Sequence, residues 1–150
     1  MTITTSWLIN DRVLFVTPTL DFDAKELQNF IHRVKQTLGA SSLDTSLYFI
    51  HDLRKTDDRK QVTFYVNSLY PQLLPISHQV LVLSDKYWAL EKRLLRHALR
   101  NYDQSAVVVY SLDESFQYLQ QFDRSLPSLR AAFRARVRTL LNDPLEALSD

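Results

Sequence analysis

Two rhythms of apolar residues alternate along the chain. In one, apolar residues run consecutively for four or five positions; in the other they recur every three or four. The first is the signature of strands and the second of amphipathic helices. ITTSWLI (Ile3 to Ile9) and RVLFVT (Arg12 to Thr17) are β-prone and flank Asn10-Asp11. This spacing predicts a hairpin. From Asp23 to Leu38, Leu27, Phe30, Ile31, Val34 and Leu38 form one apolar stripe, with Lys25, Glu26, Arg33 and Lys35 off it. That is a helix, with Asp21 or Asp23 to cap its start and Gly39 placed as its C′ glycine.

The alternation continues. SLYFIHDL (Ser46 to Leu53) reads as a strand. Thr56, Asp57 or Asp58 then caps a helix to about Tyr70, with Val62, Tyr65, Val66 and Leu69 on one face and Pro71 and Pro75 beyond its end. HQVLVLS (His78 to Ser84) is the next strand. A helix follows from Asp85 to Arg100, with Trp88, Leu94, Leu95, Ala98 and Leu99 inward. AVVVY (Ala106 to Tyr110) is a further strand. Ser111 or Asp113 caps the helix DESFQYLQQF, and Pro127 opens a last helix, LRAAFRARVRTLL. Hairpin, three helix–strand units and two closing helices predict an α/β fold in which the later strands are mainly parallel. The expected organisation is one α/β domain over residues 1–124. Residues 125–150 form an amphipathic helix and tail, packed on that domain or on a partner.

Composition changes this picture mainly by exclusion. A chain of 150 residues with 45% hydrophobic and 23% charged residues suits one globular domain. A formal net charge of +1 exerts no global pull on nucleic acid, and no nucleic-acid partner is expected. There is no cysteine, which removes disulfides, thiolate metal sites and thiol nucleophiles. The single glycine, Gly39, leaves no material for the glycine-rich loops that cradle phosphates or support a nucleophile elbow. No cofactor is therefore expected. The start lacks a basic segment followed by an apolar one, and no apolar run approaches the ~18–20 residues that span a bilayer. A cytoplasmic protein without integral membrane contact is the expectation.

The densest chemistry lies in FIHDLRKTDD, Phe49 to Asp58. His51 and Asp52 are adjacent, so in a strand they point to opposite faces and cannot form a dyad. A hydrolase built on His51 would need Asp21, Asp85 or Asp113 from neighbouring loops, and it would lack a glycine-supported oxyanion loop. Asp57 and Asp58 at a helix start satisfy free N–H groups and the helix dipole. The four histidines have no spacing that suits a metal. In the C-terminal segment, Leu126, Leu129, Phe133, Val137 and Leu140 form a stripe, and Arg130, Arg134 and Arg138 recur at four-residue steps, with Arg136 nearby. Such a helix docks its apolar side on the sheet or on a second subunit, as in a homodimer, or lies on a membrane surface or an acidic partner.

Several of these features together resemble the STAS domains, the anti-sigma-factor antagonists and their relatives. They are the hairpin, the alternating elements, Asp52-Leu53 at a strand end running into a helix start, and the late run SLDESFQYL. The resemblance spans Ser6 to Phe122. It implies that strand end, loop and helix form a surface meeting a partner kinase or sigma-regulatory protein, and Thr56 falls near the family's phosphorylated position. The chain departs from the family's Asp-Ser-Ser-Gly-like element, with Lys55-Thr56-Asp57-Asp58 in its place. Two adjacent carboxylates repel a phosphate, so the expectation is a STAS-like module without a working phospho-switch. On this reading Arg54, Lys55, Asp57, Asp58 and Tyr65 meet the partner, and the protein is not an enzyme. The second reading is a binder of a small apolar ligand or lipid, in a pocket near Phe64, Tyr65, Leu69, Leu73 and Trp88.

Overall fold

The hairpin forms where the sequence places it. β1 (Ile3–Ile9) and β2 (Val13–Pro18) pair antiparallel, from Ile3 against Pro18 to Ile9 against Val13. The turn closes with the Arg12 N–H donating to the Ile9 carbonyl at 3.0 Å. Asp11 takes φ 62°, a left-handed conformation that aspartate enters more readily than a branched residue. The register slips between Trp7 and Ile9. This bulge leaves Leu8 and Ile9, consecutive residues, packed into the same layer.

The computed structural model describes residues 3–18, 23–40, 47–55, 60, 62–66, 78–84 and 106–142. Within them, α1 (Ala24–Ala40) leads to β3 (Tyr48–Asp52), and residues 62–66 are helical before β4 (His78–Val82). β5 (Ala106–Val109), α2 (Leu112–Phe122) and α3 (Leu129–Asn142) complete the chain order. The expected helix from Asp85 to Arg100 lies outside the described residues. The protein is a single α/β domain with a five-stranded mixed sheet in the order β1-β2-β3-β4-β5. β1 is antiparallel to β2, and β2 through β5 are parallel.

The sheet order explains why two helices follow the last strand. From β2 to β5 each connection steps the same way across the sheet. Right-handed crossovers stepping in one direction deposit their helices on one face. α1 and the segment 62–66 both pack there, burying Leu27, Phe30, Ile31, Val34, Val62, Tyr65 and Val66 against Leu14, Val16, Phe49, Leu81 and Val108. The other face would be bare. α2 and α3 cover it with Phe116, Leu119 and Leu129 over Val13, Phe15, Ile50, Val80 and Val82. Every residue of β3 and β4 is buried as a result, as continuous apolar strands require.

Caps set the helix starts. Asp23 Oδ1 accepts the Glu26 N–H at 2.8 Å at the head of α1. Ser111 Oγ accepts the Glu114 N–H at 3.1 Å, while the Glu114 carboxylate reaches back to the Tyr110 N–H at 3.2 Å. This is a variant of the capping box in which the glutamate reaches the N–H of the residue before the cap. Ser128 caps α3, its Oγ accepting the Ala131 N–H at 3.2 Å. Gly39 departs from expectation. It lies inside the last turn of α1 and has no positive φ. The apolar stripe stops at Leu38, but the helix runs on to Ala40, so Gly39 stays helical instead of turning left-handed.

In α3, Leu129 is buried, Phe133 is half-buried against Phe15 and Phe116, and Val137 is 37% exposed. The apolar side of its first turns thus docks on the sheet, beside β1. Arg136 lies 6.0 Å over the Phe15 ring and Arg130 pairs with Asp113 at 3.1 Å. Arg134 and Arg138 are exposed.

Candidate functional site

The carboxyl edge of the sheet holds the residues with the most chemistry, and alternation separates them. His51 points to the α1 face with Phe49 and Leu53, and Asp52 leaves the strand on the other side. His51 is fully buried, stacked on Phe49 with ring centroids 5.7 Å apart. Its Nε2 bonds Gln79 Oε1 and its Nδ1 bonds the Tyr65 hydroxyl at 2.7 Å. A carbonyl oxygen only accepts, so Nε2 carries the proton and the Tyr65 O–H donates to Nδ1. Burial pushes the imidazole down from 6.5 to about 4, with the Gln79 bond opposing. His51 is therefore a neutral ring with both nitrogens engaged by the protein and no edge to solvent.

Asp52, 4% exposed, is also satisfied locally. Its Oδ1 accepts from the Arg54 N–H at 3.2 Å and from Arg54 Nε at 2.8 Å, and its Oδ2 accepts from Nη2 at 2.9 Å. This two-pronged geometry is the strong form of a guanidinium–carboxylate pair. The bond to Asp52 raises the Arg54 pKa above its usual value. Asp52 thus anchors the loop, and the Arg54 side chain, 42% exposed, marks its surface.

These positions separate the expected site residues. Arg54 and Lys55 are exposed. Tyr65, expected as a partner anchor, is fully buried; it belongs to the stripe with Val62 and Val66, and its hydroxyl is spent on His51. Phe64 projects away from that stripe and is 41% exposed, so it does not line an enclosed pocket. Thr56, Asp57, Asp58, Leu69, Leu73 and Trp88 lie outside the described residues, as do Asp21 and Asp85. Asp113 sits on α2, across the sheet from His51, and pairs with Arg130. The histidine and carboxylates weighed for hydrolysis are thus not brought together among the described residues.

Two further groupings have no local signal in the sequence. At the amino edge, Asp123 ties the end of α2 to the hairpin and β3. Its Oδ2 accepts from Arg12 Nη2 at 2.9 Å and from the Tyr48 hydroxyl at 2.7 Å, and its Oδ1 accepts from Ser125 Oγ at 2.6 Å. The Ser125 hydroxyl first, then the Tyr48 hydroxyl, hold this carboxyl down to about 2. Beside it the His78 ring stacks on Phe122 at 4.5 Å and bonds the Tyr118 hydroxyl at 2.9 Å. The second grouping is a cavity of about 180 Å³ between α1 and the hairpin, lined by Thr5, Trp7, Leu14, Phe30, Arg33, Val34, Leu47 and Phe49. Alternation already places Trp7, Leu14 and Phe49 on the face that α1 covers, but not the void between them.

Among the described residues no three His, Asp or Glu side chains converge in a way that could hold a metal ion, and no helix is long and apolar enough to cross a membrane. No family model matches the chain, and no curated protein matches it either.

Proposed function

We propose that this chain is a non-enzymatic, STAS-like interaction module that meets a protein partner through the segment 54–70. The observation that carries the reading is Phe64. Val62, Tyr65 and Val66 around it are buried to 2% or less, so the core is served without it, yet this large ring stands 41% exposed. Aromatic residues and arginine are enriched at the centres of protein interfaces, and Arg54 and Lys55 lie exposed on the same connection.

Two further features support the reading. The strand order never reverses between β2 and β5, so the parallel strands make no switch-point crevice of the kind that holds nucleotides in open α/β sheets. Among the described residues, the reactive groups of the carboxyl edge are also engaged internally, His51 by Tyr65 and Gln79 and Asp52 by Arg54. What remains outward there is a shape and a charge. On this reading the acidic pair Asp57-Asp58, next to Thr56 in the sequence, stands in for a phosphate, so the module acts as a constitutive binder.

A photo-reactive phenylalanine placed at Phe64 in the native host tests this. The expected result is one dominant protein adduct, absent when the same group replaces Arg124 at the opposite edge and lost with Lys55→Glu. Equal labelling from both positions, or none from Phe64, would overturn the partner surface. Efficient labelling of Thr56 by a cognate kinase would overturn the constitutive version alone.

A further inference from the structure

We infer that the cavity between the N-terminal hairpin and α1 is a binding site for a small apolar carboxylate. The cavity opens to solvent at one end, so its lining is a concave surface that a small molecule can reach. It holds about 180 Å³. An engineered apolar cavity of about 150 Å³ takes up benzene, so the space suits a ring or short chain of about six to nine non-hydrogen atoms.

The lining specifies the chemistry. β1, β2, α1 and the start of β3 converge on it, and its walls are Trp7, Leu14, Phe30, Val34, Leu47 and Phe49. Phe30 and Phe49 are fully buried and Leu47 is 3% exposed, so these walls belong to the core and hold their shape. Thr5 and Arg33, the polar members of the lining, are both exposed and mark its mouth. An apolar floor with a few polar groups at the opening is the usual form of a small-molecule site. A guanidinium presents five donors in a planar fork that fits a carboxylate. Arg33, exposed and part of the lining, is the cation placed to meet an anionic head. The ligand class follows: hydrocarbon inward, carboxylate at the mouth. The site lies beneath the hairpin and is independent of the partner surface proposed for 54–70.

The test uses the full chain with hexanoate, benzoate and hexan-1-ol as probes, read by methyl shifts of Leu14, Val34 and Leu47 in ¹H–¹³C spectra. Hexanoate and benzoate should give saturable shifts at these methyls, with Val80 and Val82 on the opposite face unmoved. Arg33→Gln should weaken hexanoate about tenfold and leave hexan-1-ol within about twofold. Val34→Phe, which fills the space, should abolish binding of all three. Because Arg33 is exposed, its variant decides the matter even if Val34→Phe does not fold. The absence of saturable shifts, equal binding of acid and alcohol in the unaltered chain, or shifts confined to the other face would each overturn the assignment.

Discussion

The two faces of the sheet solve the same burial problem differently. Under α1 and the segment 62–66, the core encloses a polar chain, Gln79–His51–Tyr65, and leaves a cavity beside it. Under α2 and α3, the core is filled by rings and aliphatic side chains. There the hydrogen-bonding groups, His78 with Tyr118 and Asp123 with Arg12 and Tyr48, are gathered toward the rim. A polar group at the rim can exchange a lost partner for water. A polar group in the interior cannot, so each member of the inner chain depends on the others. The α1 face depends on polar partners finding one another, and the other face depends on packing.

The largest expected effect should come from the face filled with rings. Phe116, 3% exposed and against Phe133, should cost about 3–5 kcal/mol on replacement by alanine. Phe64→Ala, at an exposed position, should cost less than about 0.5 kcal/mol. Urea unfolding of both variants measures the difference. Equal costs would mean that the ring layer is not the packed core described here.

Acid should act next, through the other face. Between the unfolded and folded pKa values of His51, 6.5 and about 4, the unfolded chain binds a proton that the folded chain does not. Stability is therefore whole above pH 6.5 and falls as the pH falls toward 4. At about 1.4 kcal/mol per pH unit, the loss reaches about 3 kcal/mol. A His51→Leu variant should lack this part of the slope when unfolding is followed from pH 7 down to pH 4. Parallel slopes for variant and parent would remove His51 from the acid response.

The two tyrosine–histidine bonds sharpen the contrast at smaller scale. Tyr65→Phe leaves Nδ1 of a buried ring without a donor and should cost about 1–3 kcal/mol. Tyr118→Phe removes a tyrosine–histidine bond from His78, which is 7% exposed, but the bond lies at a half-buried hydroxyl that water reaches more easily than Tyr65. Its cost should stay under about 1 kcal/mol. Chemical denaturation of the two variants side by side is the measurement, and a reversed order would contradict the distinction between inner chain and rim. A separate, modest effect belongs to a helix end. Ser111→Ala removes the cap of α2 and should cost about 1 kcal/mol, read as a lower midpoint with an unchanged denaturant slope.

The strands and the helices described here were legible because their signals are local. Apolar runs marked β3 and β4, a stripe of Leu27, Phe30, Ile31 and Val34 marked α1, and Asp23 and Ser111 announced two helix starts. Gly39 misled because glycine tolerates both the helical and the left-handed conformation. Tyr65 misled for a different reason. Its spacing placed it on the apolar stripe of its helix, but a hydroxyl enters a core only if a partner waits there. That partner came from another strand.

Short-range physics thus reached as far as the elements, the alternation that parts His51 from Asp52, and the absence of glycine-built phosphate loops. Strand register and the direction of winding supplied everything else. They bring His51 to Tyr65 across 14 positions and to Gln79 across 28, and Arg12 to Asp123 across 111. They also leave space beneath the hairpin. Such meetings depend on which strands neighbour each other and by what offset. Those offsets arise only when all layers close on one another, so no window of sequence contains them.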